Sequence, residues 1–159
     1  MTNNTIETAL NFLSNSSIET TPNVYEKYGQ FADLISKDNN IYVTYLPDED
    51  MNKVINTSKK LSDEGYQVIP HLPARTIESY RMLEEYIKKL SEECGCTKIL
   101  VIGGGGKQKG EIKSSIEILK TDLLSKYKFE EVGLAGHPEG NPDVKQSDLD
   151  DAIIQKNEF

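Results

Sequence analysis

Apolar and β-branched residues recur along the chain in five short runs: Ser17-Ile18-Glu19-Thr20, Ile41-Tyr42-Val43-Thr44-Tyr45, Gln67-Val68-Ile69-Pro70-His71, Lys98-Ile99-Leu100-Val101-Ile102 and Val132-Gly133-Leu134-Ala135. Each has the length and composition of a buried strand. Between them, apolar positions return every three or four residues, the spacing of a helix with one buried face. The clearest such stretch runs from Thr76 to about Glu93, with Ile77, Tyr80, Leu83, Ile87 and Leu90 on one side and Gly95 as its stop. A second begins at Asp48-Glu49-Asp50, acids suited to a helix N-terminus, and runs through Val54, Ile55 and Leu61 to Gly65. A third carries Ile116, Leu119 and Leu123, and Ile6, Ala9, Leu10 and Leu13 predict a leading helix whose apolar face covers a barrel end.

Strands that alternate with helices at this interval predict successive βαβ units and a parallel sheet, hence an α/β protein. Two architectures meet the pattern. Five units complete a doubly wound sheet of flavodoxin type, or they are about five of the eight units that close a (β/α)8 TIM barrel of roughly 250 residues. The 159 residues read as a single domain, 1–159, with no internal repeat or linker.

Composition narrows the partners. With 18 basic against 26 acidic residues the net charge is −8, and no basic cluster is present to neutralise a phosphate backbone, which excludes nucleic acid. No run of about 18 apolar residues occurs, and the first residues lack the layout of a secretory signal, so a cytoplasmic protein with no membrane partner is expected. Cys94 and Cys96 are too few for a zinc site and too closely spaced for an ordinary disulfide; structural thiols and no metal are expected.

In both architectures ligands collect at the C-terminal ends of the strands, where loops and helix N-termini converge. Glu19 lies in an apolar strand, where loss of water would let a carboxyl hold a proton near neutral pH and act as a general acid; its bland alternative is a pair with Arg75. Thr44 ends the second strand, and His71 ends the third, able to bond a ligand or to cap a loop. Gly103-Gly104-Gly105-Gly106 follows the fourth strand with Lys107 and Lys109 beside it, bare backbone able to cradle an anion or to form a conformational turn. After the fifth strand, Gly133-Leu-Ala-Gly-His-Pro-Glu-Gly-Asn-Pro142 fixes an irregular loop that carries His137, Glu139 and Asn141.

Taken in order, S-I-E-T-T-P, V-T-Y, I-P-H-L-P-A-R, I-L-V-I-G-G-G and G-L-A-G-H-P-E-G-N-P resemble the methylenetetrahydrofolate reductase family, from about Ser16 to Phe159. The resemblance implies an eight-stranded barrel carrying FAD, which passes hydride from NAD(P)H to 5,10-methylenetetrahydrofolate to give 5-methyltetrahydrofolate in one-carbon and methionine metabolism. By position it makes Glu19 the general acid. Thr44, His71 and the loop Gly103, Gly104, Gly105 become flavin-holding positions. His137 falls where the family usually has a tyrosine that contacts flavin, Asn141 where it usually has histidine, and Lys156 where a basic residue lies near the flavin phosphates. The glycines replace the Arg-Gly-Asp usual after strand four, so the family's aspartate is absent and the chain looks like a divergent member, with a demethylation-linked relative that uses tetrahydrofolate as an alternative. Five of eight units predict the N-terminal part of a barrel, a truncated domain whose unpaired edges favour a homo-oligomer and whose activity gives way, in the alternative, to non-catalytic folate or flavin binding.

Overall fold

The computed structural model describes residues 3–14, 16–29, 35–137, 139–142 and 144–159. Helix α1 (Asn3–Ser14) leads into β1 (Ser17–Thr20), and α2 (Pro22–Tyr28), β2 (Asn40–Val43), α3 (Met51–Asp63) and β3 (Gln67–Pro73) follow. A 3₁₀ turn at Ala74–Thr76 comes before α4 (Tyr80–Glu92), then β4 (Lys98–Ile102), the short α5 (Ser115–Leu119) and α6 (Leu123–Lys126), β5 (Glu131–Leu134) and α7 (Gln146–Lys156).

The strands form one parallel sheet in the sequential order β1-β2-β3-β4-β5. Parallel crossovers are right-handed, so an order that never reverses carries every connection to the same face. The register agrees with this. Ile41, Val43, Val68, Ile99 and Val101 alternate onto one face and are buried with Val54, Ile55 and Leu61 of α3 and Leu83, Tyr86, Ile87 and Leu90 of α4. The other parity, Glu19, Tyr42, Thr44, Ile69, His71, Lys98, Leu100, Glu131 and Gly133, belongs to no such layer. Ile69 is buried yet stands outside the helix-covered core.

Strand β3 has a seam. Its ladder to β2 ends at the pair Val43 and Pro70, and its ladder to β4 begins at His71 and Leu100. Pro70 has no N–H to donate at the changeover, and from the helix side Tyr86 Oη donates to the His71 carbonyl at 2.9 Å.

Local signals explain most helix boundaries. Asp50 Oδ1 accepts from Asn52 N–H at the start of α3, and Thr21 Oγ1 accepts from Val24 N–H at the start of α2, with Pro22 at its first position. Gly65 and Gly95 take φ of 90° and 66° just past α3 and α4. Cys94 and Cys96, either side of Gly95, are buried free thiols, and the hydrogen bond between them, with burial, pushes the Cys96 thiol up. Among the described residues no helix is long and apolar enough to cross a membrane.

Three expectations need correction. The helix predicted from Thr76 starts only at Tyr80, because Ser79 Oγ accepts from Met82 N–H and sets the cap there. Its buried stripe therefore uses Tyr86, and Tyr80 is 42% exposed. The helix predicted through Ile116, Leu119 and Leu123 is broken into α5 and α6, where Thr121 Oγ1 turns back onto the Ile118 carbonyl at 2.6 Å. The face of α1 covers nothing among the described residues: Ile6, Phe12 and Leu13 are exposed, Phe12 by 77%. Leu10, expected on that face, has its side chain outside the described residues, as Pro138 of the last loop lies outside them altogether.

Replacing a fully buried side chain of α4 leaves a cavity, whereas its exposed first residue has little to lose. Leu90→Ala is expected to lower unfolding free energy by about 2–5 kcal/mol and Tyr80→Ala by less than about 1 kcal/mol in urea denaturation.

Candidate functional site

Glu19, Thr44 and His71 come from three adjacent strands and meet on the face that the helices leave open. In the β1–β2 register Glu19 stands beside Tyr42, and its side chain reaches one step up the pleat, where Oε1 accepts from Thr44 Oγ1 at 2.5 Å. His71 lies opposite Leu100, with Nε2 3.9 Å from Glu19 Oε1, an ion-pair distance too long for a hydrogen bond. Tyr42 meets the imidazole edge-on, with ring centroids 6.2 Å apart and an interplanar angle of 70°.

The imidazole is 7% exposed, and neither Nδ1 nor Nε2 has a hydrogen-bond partner. A neutral imidazole carries one donor and one acceptor, and two orphaned buried nitrogens are a cost that a bound group with a complementary polar edge would remove. Burial holds the His71 pKa below its ordinary value near 6.5, and the charge of Glu19 raises it part of the way back.

The desolvation expected of Glu19 is absent: its side chain is 57% exposed, because a strand at the sheet edge with no helix over it cannot exclude water from a carboxylate. Arg75 does not pair with it. The Arg75 guanidinium donates to the Gly104 carbonyl at 3.4 Å, and Arg75 N–H donates to the Gly103 carbonyl at 3.0 Å, so this side chain braces the glycine loop instead.

That loop is tightly held. Gly104 and Gly106 have φ of 84° and 75°, and a Cβ on Gly104 would stand 2.9 Å from Pro73 Cβ. Lys109 N–H donates to the Arg75 carbonyl at 2.8 Å, while its ammonium bonds the Pro47 carbonyl and pairs with Asp48 at 3.3 Å. Gly110 then runs so close to the Glu78 backbone that a Cβ would fall 2.0 Å from the Glu78 oxygen. Of the positive charges beside the loop, Lys109 is thus spent on the β2–α3 connection and Lys107 stays exposed.

At the fifth strand, Lys156 reaches back from α7 to donate to the Ala135 carbonyl at 2.7 Å, and burial lowers its pKa. Asn141 is half-buried and forms an isolated bridge with Val144. His137 is exposed with φ of 50°, and among the described residues no side-chain contact joins it to Glu19 or His71. The site therefore gathers Glu19, Thr44 and His71, sets Gly103, Gly104 and Gly105 and Lys156 at neighbouring strand ends, and leaves His137 apart. Two residues that strand and helix patterns alone did not single out also meet His71: Tyr42 packs edge-on to the imidazole, and Tyr86 donates to the backbone carbonyl from the helix side. Alternation of side chains along β2 already put Tyr42 on the face of Thr44.

Two surface concavities lie away from these residues: one against Thr5, Ala9 and Phe12 of α1, another between α2 and α3 around Glu26, Lys53 and Lys60. The orphaned histidine makes the open sheet face the stronger candidate. No protein-family model matches the chain.

A histidine whose pKa is lowered on folding leaves the native state short of a proton relative to the unfolded chain. Its stability is then full above about pH 6.5 and declines as pH falls through the folded value. Glu19→Gln removes the charge that raises the His71 pKa, so the imidazole is expected to titrate at a lower pH than in the wild type. Imidazole NMR reads this directly, and a midpoint that rises in the variant contradicts the coupling.

Proposed function

We propose that this chain carries the flavin- and folate-facing strand ends of a methylenetetrahydrofolate reductase-like barrel, which reduces 5,10-methylenetetrahydrofolate to 5-methyltetrahydrofolate with NAD(P)H as electron donor. The observation that carries this reading is the buried, unpartnered His71 imidazole beside Glu19 on the open face of a parallel sheet. The sequential strand order supports the first five units of a closed barrel over a doubly wound sheet, in which the order reverses at a switch point.

The residues fit a flavin at its ring end. His71 has a free donor and a free acceptor for a polar ring edge, Thr44 adds a hydroxyl, and the Gly103–Gly106 loop presents backbone that a side chain at Gly104 would obstruct. Lys156 adds a cation at the end of β5. Flavin, when bound, supplies two-electron hydride chemistry that no side chain has. Glu19 is the side chain placed to pass a proton to the folate ring nitrogen that leaves as the ring opens. Thr44 fixes the carboxyl by its 2.5 Å bond, and His71 biases its charge from 3.9 Å.

The exposure of Glu19 favours a second reading, in which the chain binds flavin or folate without turning it over. One set of measurements separates the two. FAD titrated into the purified protein is expected to bind, and His71→Ala to weaken binding about tenfold, as expected for one lost polar contact. In the flavin-loaded protein Glu19→Gln should cut folate reduction by about 10²-fold or more and leave reduction of the flavin by NADH intact. Binding without folate reduction in the wild type selects the second reading, and a protein that takes up neither FAD nor tetrahydrofolate at millimolar concentration defeats both.

A further inference from the structure

Tyr42 stands between two aliphatic residues of β2. Its neighbours Ile41 and Val43 are fully buried against the helices, and Tyr42 itself is half-buried on the opposite, open face. The register sets it beside Glu19 on β1 and Ile69 on β3, one pleat step below Thr44 and His71. A ligand entering from the C-terminal ends of the strands meets Thr44 and His71 first and Tyr42 below them. The ring is already packed edge-on to His71, and no protein group bonds its hydroxyl among the described residues. A large rigid aromatic, held in place and only half covered, offers contact area at little cost in entropy.

We propose that Tyr42 is the floor of the site: a planar heteroaromatic ring seats over it and across the Glu19–His71 pair, and the bulk of Tyr42 fixes how closely that ring approaches the sheet. The inference rests on the flavin reading above and goes further, since it assigns ring recognition to a side chain that supplies neither the proton nor the polar edge contacts. Ile69, Tyr42's neighbour on β3 and buried outside the helix-covered core, continues the apolar floor. Aromatic stacking against a heterocycle is sequence-tolerant chemistry that needs only a ring face.

The test uses FAD as the probe and the whole chain in three forms. Tyr42→Phe keeps the ring and is expected to bind within about twofold of wild type, because the hydroxyl has no partner to lose. Tyr42→Leu fills the space without a ring face and is expected to weaken binding about fivefold or more, with a thermal midpoint close to that of the wild type. A leucine variant that binds FAD as wild type does overturns the floor assignment and leaves the flavin reading standing. A phenylalanine variant as weak as leucine also overturns it, since the hydroxyl and not the ring then carries the contact, and a wild-type protein that binds no FAD overturns both.

Discussion

A parallel sheet whose strands follow one another without reversal can carry its helices on one face only, and every feature of the site follows from this constraint. The covered face is a continuous aliphatic layer against α3 and α4. The other face has no such partner, and its residues are those that an ordinary parallel sheet would not tolerate: Glu19, Tyr42, Thr44, His71, Lys98 and Glu131. Lys98 and Glu131 answer one another across β4 and β5 at 2.8 Å. His71, higher on the same face, is answered by no one.

The chemistry of the face is a matter of which polar groups are already satisfied. Thr44 and Glu19 satisfy each other, Arg75 spends its donors on the glycine loop, and Lys109 spends its charge on the β2–α3 connection. After these pairings the imidazole of His71 stands out as a buried group with both hydrogen-bonding atoms idle. Side chains that stabilise the loops and side chains kept for a ligand are thereby told apart without reference to any relative.

All five strands were legible as β-branched or apolar runs, and all five lie within two residues of their predicted limits at each end because burial on a parallel sheet demands such residues; the largest shifts are the end of β2 at Val43 and the end of β3 at Pro73. Glycine stops at Gly65 and Gly95 were legible for the same local reason. What failed was set by tertiary or capping detail. The start of α4 moved because Ser79 captured the cap, and the third helix broke because Thr121 bonded its own backbone. The cap at Thr21 with Pro22 behind it was a readable signal for α2. Glu19 was read as desolvated from its apolar neighbours along the strand, yet solvation is decided by what lies across the sheet, which one-dimensional pattern does not contain. The Tyr86 bond to His71 joins positions 15 apart and left no trace in periodicity.

The changeover at Pro70 and His71 has a mechanical meaning. On the central strand the ladder to β2 stops at Pro70 and the ladder to β4 starts at His71, so the two halves of the sheet are joined through these two residues. Glu19 and Thr44 lie on one side of this junction and the glycine loop on the other, with His71 at the junction and Tyr86 bonding its carbonyl from behind. The spacing between the carboxylate and the glycine loop is therefore transmitted through one short stretch of backbone, and whatever moves that stretch moves both.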